Sequence, residues 1–158
     1  MDKKTPINIA IVSLNDKFSN TIASSLASKL GMFVADCHQM IVYELINPKD
    51  VLQKCGIDYF KKREKSAVKN CAGFLDTVIS VNYDIIHEYH SLFENSLIIY
   101  VKLPEERITQ AVNKVSYTHR DEFLREIANG MVIELEKRSS VQAVKKIMDK
   151  LGEYYENC

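Results

Sequence analysis

Residues 7–12, INIAIV, form an almost continuous apolar run, and the hydrophobic period changes directly after it. A short β-rich run without polar alternation reads as a strand buried on both faces, the pattern of a parallel sheet. Residues 19–31 (SNTIASSLASKLG) place Ile22, Ala23, Leu26, Ala27 and Leu30 on one helical stripe, with Gly31 as a helix stop. Met32–Ala35 then returns to a short strand ending at Asp36. Strand, loop, helix and strand within 36 residues is the crossover that parallel pairing requires.

The alternation continues. Gln39–Leu45 reads as a short helix. Asn47-Pro48 opens another that ends near Gly56, and Asp58 caps a third running to about Asn70. Thr77–Val81 is a strand, Tyr83–Phe93 a helix and Leu97–Val101 (LIIYV) a buried strand. Pro104 opens a helix with Ile108, Ala111, Val112 and Val115 at helical spacing, followed by a helix from about Arg120 to Ala128. Met131–Leu135 is the last strand. Ser139 or Ser140 then caps a final helix carrying Val141, Val144, Ile147, Met148 and Leu151 on one stripe. Five strands alternating with helices predict an α/β fold, a three-layer α/β/α arrangement around a five-stranded parallel sheet with right-handed crossovers. No internal repeat or linker interrupts residues 1–158, so the expectation is a single domain. Ligands of such sheets bind at the carboxyl ends of the strands, here the loops beginning at Ser13, Asp36, Asn82, Lys102 and Glu136.

Composition narrows the function. Twenty-one basic residues balance 21 acidic ones, so no global charge favours nucleic acid or an anionic membrane. The basic run Lys61-Lys62-Arg63-Glu64-Lys65 is too short, in a neutral chain, to change that. No apolar run approaches the ~18 residues of a membrane span. The opening MDKKTP lacks the apolar core of a signal peptide, so the expected compartment is the cytoplasm. Cys37, Cys55, Cys71 and Cys158 show no CxxC spacing and no repeated pairing with the four histidines, so reduced thiols and no metal site are expected.

The loop after the first strand is the most informative segment. In a P-loop, pattern GxxxxGK[ST], glycines let backbone N–H groups wrap phosphates, Lys reaches the terminal phosphates and a hydroxyl holds Mg²⁺. Here Ser13 and Phe18 stand at the glycine positions, Ser19 at the Lys position and Asn20 at the hydroxyl position. Phe18 adds bulk where phosphate would pass, and Asp16 adds a repelling carboxylate. Lys17 and Thr21 are the substitutes that a shifted loop would offer. The plainer reading makes Lys17 a solvated charge and Thr21 part of the first helical turn. The five glycines fall at 31, 56, 73, 130 and 152, none of them in this loop or in the turn after the third strand.

Several segments in order resemble the shikimate kinase family of small P-loop kinases. They are NIAIV with TIASSLASKLGMFVADCH, then GIDYFKKREKSAV, LIIYVKLPEERI and FLREIANGMVIE. The resemblance implies the P-loop kinase fold and a site to compare position by position. The family's second strand ends in D-x-D, whose second acid contacts the substrate hydroxyl. Asp36 keeps the first acid and His38 replaces the second. The substrate-binding Arg of the family's F-R-x-x-E signature falls on Lys61 and its Glu on Glu64. The glycine-rich substrate turn falls on Asn82-Tyr83-Asp84, and a second substrate-binding Arg is kept as Arg125. Between Pro104 and Arg125 the chain is too short for the family's lid with its flanking helices, so the lid reads as deleted.

Phosphoryl transfer is mainly positioning and charge neutralisation. With the loop Lys, the Mg²⁺ hydroxyl and the lid Arg missing, the expectation is a shikimate kinase-like protein that has lost ATP-dependent transfer. It would act as a binding or regulatory module with no cofactor, for a small acidic ligand or a protein partner. The alternative is an active small-molecule kinase, on shikimate or a similar hydroxy acid, using ATP and Mg²⁺ through an atypical loop. Two other constellations each admit two readings. Asp36 and His38 can be read as a base and its orienter, or as a polar pair without catalytic role, and the second is preferred because no nucleophile accompanies them. Lys61, Glu64 and Arg125 can be read as a residual acid-binding site or as a charged helix face. A third role, obligate partner of an active enzyme, would require an exposed apolar patch.

Overall fold

In the computed structural model, which describes residues 5–104 and 114–156, every residue of the first strand, β1 (Asn8–Val12), is buried. Helix α1 (Asp16–Leu30) follows, then β2 (Phe33–Asp36), α2 (Cys37–Leu45), α3 (Pro48–Ala72) and β3 (Thr77–Ser80). Helix α4 (Tyr83–Tyr89) tightens into a 3-10 turn at His90–Phe93 before β4 (Ser96–Lys102). Helix α5 (Lys114–Ala128), β5 (Val132–Glu134) and α6 (Ser140–Glu156) complete the chain.

All five strands pair in parallel in the order β2-β3-β1-β4-β5. Ile9, Ile11, Val78 and Ile99 turn to one face and pack with Ile22 and Leu26 of α1 and Ile147 of α6. Ala10, Val12, Ile79 and Tyr100 turn to the other face, under α2, α3, α4 and α5. Alternate residues of each central strand thus enter two separate cores, which is why these strands read as unbroken apolar runs. The polar exception in β1 is Asn8, whose amide Nδ2 donates to the carbonyls of Ala72 and Phe74, both at 2.8 Å, and fastens the end of α3 to the sheet. Chain order reverses direction across the sheet at β1, so the exit of β1 is the topological switch point.

The element boundaries follow local chemistry. Gly31 closes α1 with φ 67°, and its N–H bonds the Ala27 carbonyl. Helix α3 is broken at Gly56, whose φ 84° and ψ 169° are not helical, a conformation that glycine adopts without steric cost. Two helical segments therefore meet at Gly56, as the sequence reading of a helix ending near Gly56 and another after it expects. Ser139 Oγ accepts from the Gln142 N–H and caps α6. Two expected core positions are corrected. Val141 is 79% exposed, because the buried stripe centres on Ala143, Val144, Ile147 and Leu151 and Val141 lies ~100° around the helix from it. Val115, in the first turn of α5, is also exposed. The helix expected from Pro104, with Ile108, Ala111 and Val112, lies outside the described residues except at its ends, as does Cys158.

Cys37 and Cys71 are buried and free, and Cys55 is exposed and free. A hydrogen bond with Cys71, added to burial, pushes the Cys37 thiol far above its usual range, so it stays protonated and unreactive. Among the described residues no helix is long and apolar enough to cross a membrane.

The link between α2 and α3 turns on Ile46, with φ 60° and ψ −55°, across which Asn47 N–H donates to the Leu45 carbonyl at 2.5 Å. A β-branched residue at positive φ carries ~1–3 kcal/mol of strain. Ile46 is 88% exposed, so no packing offsets this. Ile46→Gly is expected to stabilise the fold by about 1 kcal/mol after the ~0.5–1 kcal/mol entropic cost of glycine. In dilute protein this should appear as a higher urea midpoint at unchanged m-value.

Candidate functional site

The exit of β1 is Ser13, wholly buried, and its hydroxyl is the hub of the loop. Ser13 Oγ donates to the Asn15 carbonyl at 2.8 Å, accepts from the Asn15 N–H at 3.2 Å and meets Ser19 Oγ at 2.6 Å. Asn15 then caps α1: its Oδ1 accepts from Phe18 N–H at 3.0 Å while its carbonyl accepts from Ser19 N–H at 3.0 Å. A helix N-terminus after a strand is a ready anion site because its N–H groups are unpaired. Here the Phe18 and Ser19 N–H groups are engaged by the chain's own oxygens. Phe18 is buried among Ile22, Leu26 and the sheet rather than standing in the loop.

The remaining residues of this segment spread around it. Lys17 is exposed. Thr21 Oγ1 donates to the Lys17 carbonyl at 3.0 Å, so its hydroxyl is used within its own helix, as the plainer reading expects. Asn20 faces the sheet, its Oδ1 accepting from Ser80 Oγ at the end of β3. Asp16 stands at the mouth of the loop. Partial burial raises its pKa, with Asp36 and Asp84 adding to the rise and His38 opposing it. Three carboxylates and one imidazole therefore surround the entrance. Among the described residues no three His, Cys, Asp or Glu side chains converge as a metal-ligating set.

Three cavities open at the carboxyl ends of the strands, one of about 470 Å³ beside Lys102, Glu134, Glu136 and Lys146 at the ends of β4 and β5, and two smaller ones nearer β1. One, about 130 Å³, lies among Ser13, Asp16, Asn82, Tyr83, Asp84 and Arg120. The other, about 280 Å³, lies among Asn20, Ser24, Val34, Asp36, Gln39 and Ser80. Asp36 caps α2: its Oδ1 accepts from the backbone N–H groups of His38 (3.0 Å) and Gln39 (3.3 Å). It thus meets His38 through the main chain, not as an orienter of the imidazole, which is exposed. Asn82 in the same way caps α4, accepting from Ile85 N–H at 2.9 Å.

Lys61, Glu64 and Arg125 belong to two networks that share no residue. Lys61 pairs with Glu88 at 2.9 Å and Glu64 at 3.3 Å, and Glu64 also accepts from Tyr89 Oη at 2.8 Å. The hydrogen bond to Glu88 is the main reason that the Lys61 pKa rises. Arg125 binds Glu134 and, through Nε, Asp121 at 3.0 Å. Asp121 also accepts from Tyr100 Oη at 2.7 Å and lies 3.7 Å from Lys102 Nζ. Burial alone would raise the Asp121 pKa, but these hydrogen bonds and charges outweigh it and hold it low. Each cation is thus matched by carboxylates of its own network. Sequence reasoning missed Arg120, whose guanidinium carbon lies 4.6 Å from the Tyr83 ring centroid, and Ser80. Neither carries a local signal. Asp121, four residues before Arg125, is a legible helical ion-pair spacing that was also passed over.

The family model described as Shikimate kinase matches residues 20–121. The shikimate kinase from Acinetobacter baumannii in complex with shikimate has a TM-score of 0.75 and 19% identity, covering 96% of this chain and 96% of that one. The shikimate kinase from Aquifex aeolicus gives 0.66 and 17%, with 94% and 98% covered. A gluconokinase from Sinorhizobium meliloti gives 0.57 and 12%, with 98% and 97% covered. No curated protein matches the chain by sequence. At these identities the structures share the fold, a five-stranded parallel sheet with helices on both faces.

The Asp121 network yields a pH prediction. A carboxylate held below its unfolded pKa of about 3.9 stabilises the fold above that value, and the contribution is lost as pH falls through the folded pKa. Asp121→Asn is expected to lower stability at neutral pH by about 1–2 kcal/mol. It should also flatten the fall in stability below about pH 4. Urea melts of both proteins across that range measure the two effects.

Proposed function

The chain belongs to the shikimate kinase family, and we propose that it is a member that has lost ATP-dependent phosphoryl transfer and serves as a non-catalytic binding or regulatory module. The observation that carries this reading is the closed loop after β1. Asn15 occupies the N–H of Phe18 at the start of α1, and the Ser13 and Ser19 hydroxyls meet across the turn. Opening that turn breaks at least these bonds before any bond to a ligand forms.

The chemistry at the loop mouth supports the same reading. The three carboxylates Asp16, Asp36 and Asp84 repel an arriving triphosphate, and partial burial makes ionised Asp16 costly even before it arrives. A cavity of about 130 Å³ is well below the ~300–1,000 Å³ of sites that enclose a small molecule. Thr21 spends its hydroxyl on Lys17, and Asn20 offers a carboxamide already held by Ser80. The residues present therefore do not fit Mg²⁺ and ATP in the family's manner, and no transfer step is derived through them. The family match itself begins at Asn20, the last position of the loop pattern. The lid is absent on this reading, because the sequence between Pro104 and Arg125 is too short to hold it with its flanking helices.

On the substrate side, Asp36 and Arg125 are retained, and the Acinetobacter relative is described with shikimate bound. A small hydroxy acid is therefore the ligand class that this module would still take. It would have to draw Arg125 from Glu134.

Thermal melting tests the proposal. A ligand that binds only the native state at a hundred times its Kd stabilises by ~2.7 kcal/mol, which raises the midpoint by several degrees. Millimolar Mg·ATP is expected to leave the midpoint unchanged. A robust rise, abolished by Lys17→Ala, would overturn the proposal in favour of an active kinase with an atypical loop. A rise with shikimate alone, lost in Arg125→Ala, would identify the surviving acid site.

A further inference from the structure

At the pole of the sheet opposite the loop after β1, a cavity of about 480 Å³ opens where the strands begin. Residues 5–9 at the entry of β1 line it, with Leu30 and Met32 on either side of the Gly31 helix stop and Asp76 just before β3. Helix α6 closes it with Met148, Leu151, Gly152 and Tyr155. The volume falls within the ~300–1,000 Å³ of sites that enclose a small molecule. Most of the lining is hydrocarbon or thioether. Ile7, Leu30, Met32 and Met148 are only half-buried, so each keeps surface that the rest of the protein does not cover. Methionine side chains are flexible and polarizable, and they adapt to apolar guests of different shape.

Two features of this cavity are not explained by folding alone. The first is Gly152. It stands inside α6, where glycine is the least favourable residue after proline. Its φ is not positive, and a Cβ built on it meets nothing within 4 Å, so neither backbone conformation nor crowding requires a glycine. Met148 and Tyr155 lie four and three residues from it, on the same helical face, and line the same space. A side chain at position 152 would enter that space, and glycine keeps it open. The second feature is Asp76, the one charged residue among those lining the cavity. Its N–H donates to the Ile7 carbonyl at 3.1 Å and its carbonyl accepts from the Phe33 N–H at 2.8 Å, so its backbone is held from both sides. Among the described residues no hydrogen bond or ion pair engages its carboxylate.

We propose that this cavity is a binding site for a small organic cation, an amine carried on an aromatic or aliphatic body. The body fills the space beside Gly152, Met32 and Met148, and the ammonium pairs with Asp76. Tyr155, in the same lining, supplies an aromatic wall of the kind that attracts a cation. An exposed ion pair contributes little by itself, so the apolar body carries the affinity and Asp76 selects the sign of the charge. A carboxylate on the same body meets Asp76 as a like charge and is disfavoured. The backbone of Asp76 is fixed before a ligand arrives, which reduces the ordering that binding requires. The cavity lies at the amino ends of the strands, so the inference is independent of whether the loop after β1 binds nucleotide.

Calorimetric titration of the full chain with phenethylamine, phenethyl alcohol and phenylacetate tests the proposal, because the three probes share an apolar body and differ in charge. The amine is expected to saturate one site. The alcohol should bind ~3–5-fold more weakly and the carboxylate at least about tenfold more weakly. Asp76→Asn keeps a residue type that tolerates the φ of 52° and is expected to bring amine and alcohol to equal affinity. Gly152→Leu is expected to raise the melting midpoint of the free protein, through helix propensity, while abolishing binding of all three probes. A protein that melts higher yet no longer binds separates a filled cavity from misfolding. The methyl NMR signals of Met32 and Met148 locate the ligand in the unaltered chain and are expected to move as phenethylamine is added. No saturable binding of phenethylamine at ~10 mM overturns the proposal. So does phenylacetate that binds as tightly as the amine, methionine methyl signals that stay in place on binding, or a folded Gly152→Leu variant that binds unimpaired.

Discussion

β1 is hydrogen-bonded on both sides, to β3 and to β4, and none of its residues reaches solvent. The rest of the structure depends on that double pairing. It fixes the register of the sheet's two halves against each other, and it sends alternate side chains into two cores. It also delivers Ser13 to the switch point at a set height and direction. From there the chain has only Leu14 and Asn15 before α1 begins. The short connection is why the Ser13 hydroxyl can reach Asn15 and Ser19 together, and why Asn15 can cap the helix that follows.

A buried polar group must find a partner, and the Ser13 and Ser19 hydroxyls and the Phe18 N–H find theirs within the loop. A glycine loop leaves its N–H groups for a ligand. Serine and asparagine side chains reach those same groups first. The result is a turn held by its own side chains. The same principle governs the outer networks. Lys61 lies between Glu64 and Glu88, and Arg125 between Asp121 and Glu134, so each cation is matched by acids of its own network.

How far the site was legible varies by residue. The sequence alone marks Ser13, Phe18, Ser19 and Asn20 as departures from a phosphate-binding pattern, because that pattern prescribes a residue type at each position. The places of Lys17 and Thr21 follow from helical spacing, since residue 21 lies one turn beyond residue 17. The fate of Phe18 is different. Its bulk suggests an obstruction in the loop, yet it turns into the core with Ile22 and Leu26, which only packing decides. Asp36 and His38 resemble a catalytic pair on paper, and helix capping accounts for their contact instead. Arg120 and Ser80 carry no local signal at all, because their partners, Tyr83 and Asn20, lie 37 and 60 residues away in the chain.

The sequence by itself determines the class of fold. Buried parallel strands and amphipathic helices have different hydrophobic periods, and those periods are local properties that can be read residue by residue. It likewise determines that the loop after β1 is poor in glycine. Val141 shows the limit of that reading: its spacing suggests the stripe, but the stripe's centre depends on where α6 meets the sheet. Only the tertiary structure decided which hydroxyl meets which, that Lys61 and Arg125 enter separate networks, and that Phe33, Tyr43 and Ile46 stay outside. Each of these depends on partners brought together from distant parts of the chain, and sheet order and helix placement, not local spacing, determine who those partners are.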